Sequence, residues 1–364
     1  SALLFAHLKG VHLVFMNGRF DAKLSCIGTL PAGVQISSLA DAISKGSPVV
    51  EKHLGHYVQL QDNALAALNT AFFLDGGFIH VPANVSVPEP VRMLFISKGL
   101  TSGATVQPRN LIIAEAGAAL TVIEQYVSLD DSAYCTNAVT ELVSGDNTNV
   151  EHIKLQDEPL QAYHLATLHG HFGRTSNVSA HSIALGSRLS RNTIRTKLAG
   201  AGLECILNGL YLTRGEQLAD HHMVVEHVEP NCASHEYFNG ILDDKSKGVF
   251  HGRILVQQLA QKTDAKQTNK NLLLSDDATA DTKQQLEIYA DDVKCTHGAT
   301  IGQINEESIF YLRARGIGFG TAKRMLIHAF AGEIIDRVKH EAVREELDKL
   351  VWDRLEAIPS LATT

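Results

Sequence analysis

Cys295 and His297 stand two residues apart in the stretch IYADDVKCTHGATIGQI (288–304). If that stretch is extended, both project from the same side of the backbone, because side chains alternate across a strand. A thiolate beside an imidazole suits iron or zinc better than calcium or magnesium. Two ligands do not close a site, so the pair would be half of one completed by another chain; the alternative is a buried structural thiol near a hydrogen-bonded histidine. A second cluster, His221, His222 and His227, has no cysteine or carboxylate triad beside it. On a strand His221 and His227 would share a face and His222 would point the other way, which packing along a β face explains. The run GIGFG (316–320) follows a helical stretch rather than a strand and lacks a following Lys-Ser/Thr, so it reads as a helix–helix turn. No GxxxxGK[ST], GxSxG or HExxH occurs, so any ATP dependence must come from a partner.

The elements that would position these residues fall into three zones. Residues 1–77 mix short apolar runs with a helical stretch over 62–73, rich in Ala, Leu and Asn, and Asp75-Gly76-Gly77 breaks it. Residues 78–303 carry short β-type runs at 111–114, 139–143, 150–155, 178–185, 193–198, 204–211, 223–228 and 249–256, bounded by Gly, Asn, Asp or Ser. In NVEHIKL, Val150, His152 and Lys154 fall on one face and Glu151, Ile153 and Leu155 on the other. No helical pattern separates the runs, which excludes a βαβ sheet and leaves a sandwich, barrel, propeller or solenoid. Asparagines at Asn110, Asn149, Asn177 and Asn192 lean toward a parallel β-solenoid.

Residues 304–364 are helical. Asn305 is placed to cap a first helix and Gly316 to close it. A second helix is expected from a Thr321 cap, with Met325, Ala329, Phe330, Ile334 and Val338 as its apolar stripe. A third carries Val343, Leu347, Leu350, Val351, Leu355 and Ile358 at three- and four-residue steps, and can cover the second.

A formal net charge of -8 without a Lys/Arg cluster excludes a dedicated nucleic-acid binder. The N-terminal apolar run is broken by His7, Lys9 and His12, too early for a signal-peptide core or a membrane span. Five cysteines without CxxC spacing fit a reducing cytoplasm. The first residue, Ser rather than Met, points to a trimmed start.

The segment EIYADDVKCTHGATIGQINEESIFYLRARGI (287–317) resembles the signature of the SufD family. So do VFMNGRF (14–20), FLDGGFIHVPANVSV (73–87), LNGLYLTRGEQLADHHMVVEHVEPNCASHEYFNGIL (207–242) and FHGRILVQQLAQKTDAKQTNKNLLLS (250–275). Part of the helical segment such proteins carry before NGRF is missing. The resemblance implies a right-handed parallel β-helix with helical flanks. It also implies a non-catalytic scaffold for iron–sulfur cluster assembly, in a complex with a SufB-like scaffold and a SufC-like ATPase, or a homodimer when isolated. SufB-like chains carry a sulfur-accepting cysteine before the signature, where this chain has TNKNLLLSDDA, and His-Glu where it has His297-Gly298; both departures favour SufD. By resemblance His297 faces the SufB partner, where a transient iron–sulfur cluster forms, and Cys295 is its neighbour. No cofactor is expected to stay bound.

The competing reading is a β-helix enzyme acting on carbohydrate. It would need a carboxylate or basic cluster on an open solenoid face and sugar-stacking aromatics, and aromatics make up only 6% of the chain. Two further expectations follow. The coils around 250–275 are candidates for pairing with a partner's strands. Residues 305–358 should bind the ATPase, so that deleting 305–364 abolishes binding and leaves the β-helix folded.

Overall fold

The computed structural model describes residues 4–358; Ser1, read as a trimmed start, and residues 359–364 of the helical zone lie outside the described residues. Alternate strands share a sheet. Asn149–Asp157 pairs in parallel with Asn177–Ala184, followed by Glu204–Thr213, Ala233–Leu242, Asp264–Leu273 and Lys294–Gly302. The intervening strands, from Gly77–Val81 to Thr279–Ile288, build a second sheet. The result is a parallel β-solenoid of about 8 turns, the fold expected among those a helix-free run of short strands allows. Val11–Met16 also belongs to it, pairing in parallel with Val91–Ser97.

The repeat lies in backbone conformation more than in residue type. Asn84, Gly117, Asn147, Thr175, Gly202, Asn231 and Lys262 all have positive φ. The N–H of each donates to a carbonyl of the next coil, as Asn147 does to Arg174 and Lys262 to Asp292. Asparagine and glycine adopt this conformation readily, but threonine and lysine also fill it here, which hides the period. Asn149 and Asn177 begin strands as expected and are register partners, whereas Asn110 and Asn192 sit inside strands of the other sheet.

Side chains form columns. One inner column runs Leu120, Val150, Val178, Cys205, Ser234, Ala265, Cys295; its neighbour runs Val122, His152, Ala180, Leu207, Glu236, Gln267, His297. The alternation read in NVEHIKL is real: Val150 joins the inner core, while Ile153 and Leu155 face outward. That outward face is covered, so both faces are buried.

Six helices flank the solenoid among the described residues: α1 (Leu39–Ser44), α2 (Pro48–His53), α3 (Ala64–Phe72), α4 (Glu306–Ala314), α5 (Phe319–Ile335) and α6 (Glu341–Glu356). Asn305 caps α4 by accepting from the Ser308 N–H, and Gly316 follows its end with φ 85°. Helix α5 starts at a Gly318 cap, not at Thr321. Its buried stripe is Ala322, Ile327, Ala331, Ile334 and Ile335, while Met325 and Ala329 of the expected stripe are exposed. The stripe is set by the sheet below: Ile327, Ala331 and Ile334, with Val343, Leu347, Val351 and Leu355 of α6, pack on Ile153, Leu155, Ile183 and Leu210. Deleting 305–364 would therefore strip the cover from that sheet face, against the expectation that the β-helix would be left intact.

Candidate functional site

At one end the stack stops. Lys294–Gly302 and Thr279–Ile288 each have one parallel partner and expose their other edge. The strands expected to meet a partner, around 250–275, are interior, because the following turn of chain adds one more coil on top of them. Unpaired edge N–H and C=O groups are a template for another strand.

Cys295 and His297 both lie on the inner face of that last strand, as parity requires of an extended segment, and they end the two columns above. They differ in setting. Cys295 is half-buried against Ala265, Ala290, Val293 and Leu286. Burial raises its thiol above the ordinary value, Asp264 and Glu236 add to the rise, and a backbone hydrogen bond from Ala265 opposes it. A thiol held in its neutral form is a poor ligand. His297 is exposed, and among the described residues no hydrogen bond or ion pair within the chain claims its imidazole. Gly298 follows it with open space where a side chain would stand, no atom coming within 4 Å of that position, so another backbone has room to approach. The Gly298 carbonyl accepts from Gln284 Nε2 at 3.0 Å.

Behind His297 the column is polar. Gln267 is fully buried and donates to Glu236 Oε2 at 2.9 Å; Ser234 donates to Glu236 Oε1 at 3.2 Å. Burial pushes the Glu236 carboxyl up to about 8, with Gln267 and Ser234 opposing, so it is largely a neutral acid near neutral pH. The sequence gives no sign of this, since a polar residue at alternate strand positions reads as solvent-facing.

The histidine cluster divides as its parity predicts. His221 stacks on Tyr211 with ring centroids 5.0 Å apart and meets Phe238 edge-on at 5.5 Å, and His227 approaches Ser234 Oγ at 2.9 Å. His222 points outward to Asp220 at 2.9 Å. Among the described residues no group of three or more His, Cys, Asp or Glu side chains could hold a metal ion. No helix among them is long and apolar enough to cross a membrane.

Comparisons with known proteins give the family. Residues 95–330 match the family described as SUF system FeS cluster assembly, SufBD core domain, and residues 5–93 match the SufBD protein N-terminal region. The chain is 33% identical over 350 residues to the iron–sulfur cluster assembly protein SufD of Escherichia coli, covering 96% of this chain and 80% of that protein. It is 33% identical over 347 residues to an iron–sulfur cluster assembly SufBD family protein of Synechocystis, covering 93% and 76%. It is 26% identical over 325 residues to SufD of Bacillus subtilis, covering 88% and 73%.

Proposed function

This chain belongs to the SufBD family of iron–sulfur cluster assembly proteins, and from that premise we propose that it is a SufD-type scaffold subunit with no turnover of its own. Its open solenoid end meets a SufB-type scaffold, His297 lends one ligand to a cluster built in transit at that interface, and the C-terminal helices receive a SufC-type ATPase. The cluster is cargo, and the partner supplies the remaining ligands.

One observation carries the reading: His297 is an exposed imidazole, unclaimed among the described residues, on an edge strand whose outer backbone edge is unpaired. Every other histidine on the inner faces of the described solenoid named above is buried against an aromatic ring, a hydroxyl or a carboxylate. Imidazole suits iron. Cys295, half-buried and with its thiol raised by that burial, is the lesser candidate.

The ATPase assignment is supported by α4, which has no buried residue. Phe310 and Phe319, 75% and 51% exposed, line a groove of about 440 Å³ with Leu274 and Ile304, and Tyr311, 58% exposed, follows Phe310 on α4. Exposed aromatics grouped this way suit a protein partner. Phe310→Glu is expected to abolish ATPase capture while the melting temperature stays within a few degrees.

The ligand role is tested in the assembled complex. His297→Ala should slow cluster formation while subunit association and ATPase activity persist, and Cys295→Ala should act less. Wild-type rates of cluster formation in His297→Ala, or a defect traced wholly to lost association, would overturn it.

A further inference from the structure

The outer face of the second sheet carries a feature the scaffold role does not use. The chain from Gly55 to Asn63 forms a strap over that face. The N–H groups of Gly55 and Tyr57 donate to the Glu141 carboxylate at 2.9 and 3.2 Å, and Asn63 Nδ2 donates to Thr167 Oγ1 at 3.1 Å. Beside the strap lies a cleft of about 670 Å³, continuous through Asp62, Arg195, Val224 and Arg253 with a second of about 430 Å³. These sizes are typical of small-molecule sites.

The floor is basic. Arg195, Val224 and Arg253 are register partners on three successive strands, so the two guanidinium-bearing positions stand about 9.5 Å apart across a valine. Of the carboxylates nearby, Glu226 on the cleft wall accepts from Gln257 Nε2 at 2.9 Å, and none makes a short contact with Arg195. Asp220 is held by Arg191 at 2.5 Å and His222 at 2.9 Å; Glu287 is shared by Arg253 at 3.4 Å and Gln285 at 2.6 Å. Arg195 has its short contact, 2.5 Å, with the neutral amide of Gln59, and Asp62 lies 3.8 Å away with a 72% exposed side chain. Burial is the main cause of the lowered values at the neighbouring imidazoles, and the cationic groups beside them add to it. Burial, then Arg195 and Arg109, lowers His169 to about 4; burial and Lys197 lower His171; burial, His222, Lys283 and Arg253 lower His251.

We infer that this cleft binds a phosphorylated small molecule, with its phosphate oxygens held between Arg195 and Arg253 and its body against the strap. Guanidinium groups match phosphate oxygens two at a time, and two guanidiniums favour a diphosphate over a single phosphate. The assignment is independent of the cluster-building role.

Isothermal titration of the full chain with pyrophosphate tests it. Saturable one-to-one binding is expected, stronger than with inorganic phosphate. Arg253→Ala should weaken it at least ~10-fold, the scale of one charge-assisted hydrogen-bonded contact. Arg195→Ala should weaken it similarly, and Arg195→Lys should fall between, because lysine keeps the charge without the fork. Arg253 does not anchor the strap, so its variant separates lost binding from a loosened cleft. Arg174→Ala, at an exposed corner, should change nothing. No saturable binding, or an equal loss in Arg174→Ala, would refute the site.

Discussion

Strands Asn149–Asp157 and Lys294–Gly302 belong to one sheet and share its inner columns, yet they live in opposite conditions. All residues of the first but Asn149 are buried; none of the second is. Polar side chains inside the first are consumed by each other. Glu124 accepts from His152 Nε2 at 2.8 Å, Tyr126 Oη at 2.5 Å and Thr140 Oγ1 at 2.9 Å, and Lys154 donates to Asn192 Oδ1 at 2.9 Å. His297, at the end of the column that contains His152, has no such partner. The same residue type is structural in the middle of a stack and available at its end. Place in the solenoid, more than identity, assigns the job.

Breaking the inner network should have the largest effect. Glu124→Ala leaves His152 buried without its partner and should destabilise the protein by about 3–5 kcal/mol, read as a lowered denaturant midpoint. The pH dependence has a definite sign. Burial would raise the Glu124 carboxyl, but the hydrogen bonds from His152 and Tyr126 overcome it and hold it at about 2 against an ordinary 4.5. Its contribution is therefore complete above the ordinary value and is lost as pH falls from there through about 2. Removal of Glu124 should flatten that part of the acid-unfolding curve.

Next comes the attachment of the C-terminal helices. Glu151 accepts from the backbone N–H of Lys339 at 2.7 Å and of His340 at 3.3 Å, and His181 lies 3.2 Å from the same carboxylate. Glu151→Ala should cost about 2 kcal/mol and speed proteolytic cleavage near 339–340, with the sheets retained. Unchanged cleavage would mean the apolar contacts alone hold the helices.

An effect of opposite sign is expected of Glu236. Its carboxyl is raised to about 8 from 4.5, so the folded protein binds the extra proton between those values and loses stability as pH rises across that window. Glu236→Gln should remove this loss, melting higher than wild type above pH 8 and no higher near pH 4. At the foot of the scale, His297→Ala should shift stability by less than about 0.5 kcal/mol, since no described residue bonds to its imidazole. A large loss would place His297 with the inner histidines.

The sequence made some of this contrast readable and hid the rest. The parity of Cys295 and His297, and of His221 and His227 against His222, needed only the alternation of a strand. The capping of α4 by Asn305 and Gly316 was equally local. The face of α5 was not, because the apolar sheet beneath selects Ile327 and Ala331 over Met325 and Ala329, and Gly318 caps without a side-chain signal. The buried charges of the lumen were invisible because burial on both faces erases the polar-outward pattern that would have marked Lys154 and Glu124 as inner. The open edge was misplaced by one coil, since TADTKQQLEI is too polar to read as a stacked strand; its neighbours' pairing, rather than its own burial, puts it there.

The claim that the end of the stack lends a ligand is tested most directly by pulsed electron paramagnetic resonance on a reduced cluster built in the assembled complex, with this chain alone carrying ¹⁵N-labelled histidine. A directly bound imidazole should give a ¹⁵N hyperfine coupling that disappears in His297→Ala and survives in His222→Ala. A cluster that forms without that coupling, or keeps it in His297→Ala, would contradict the account.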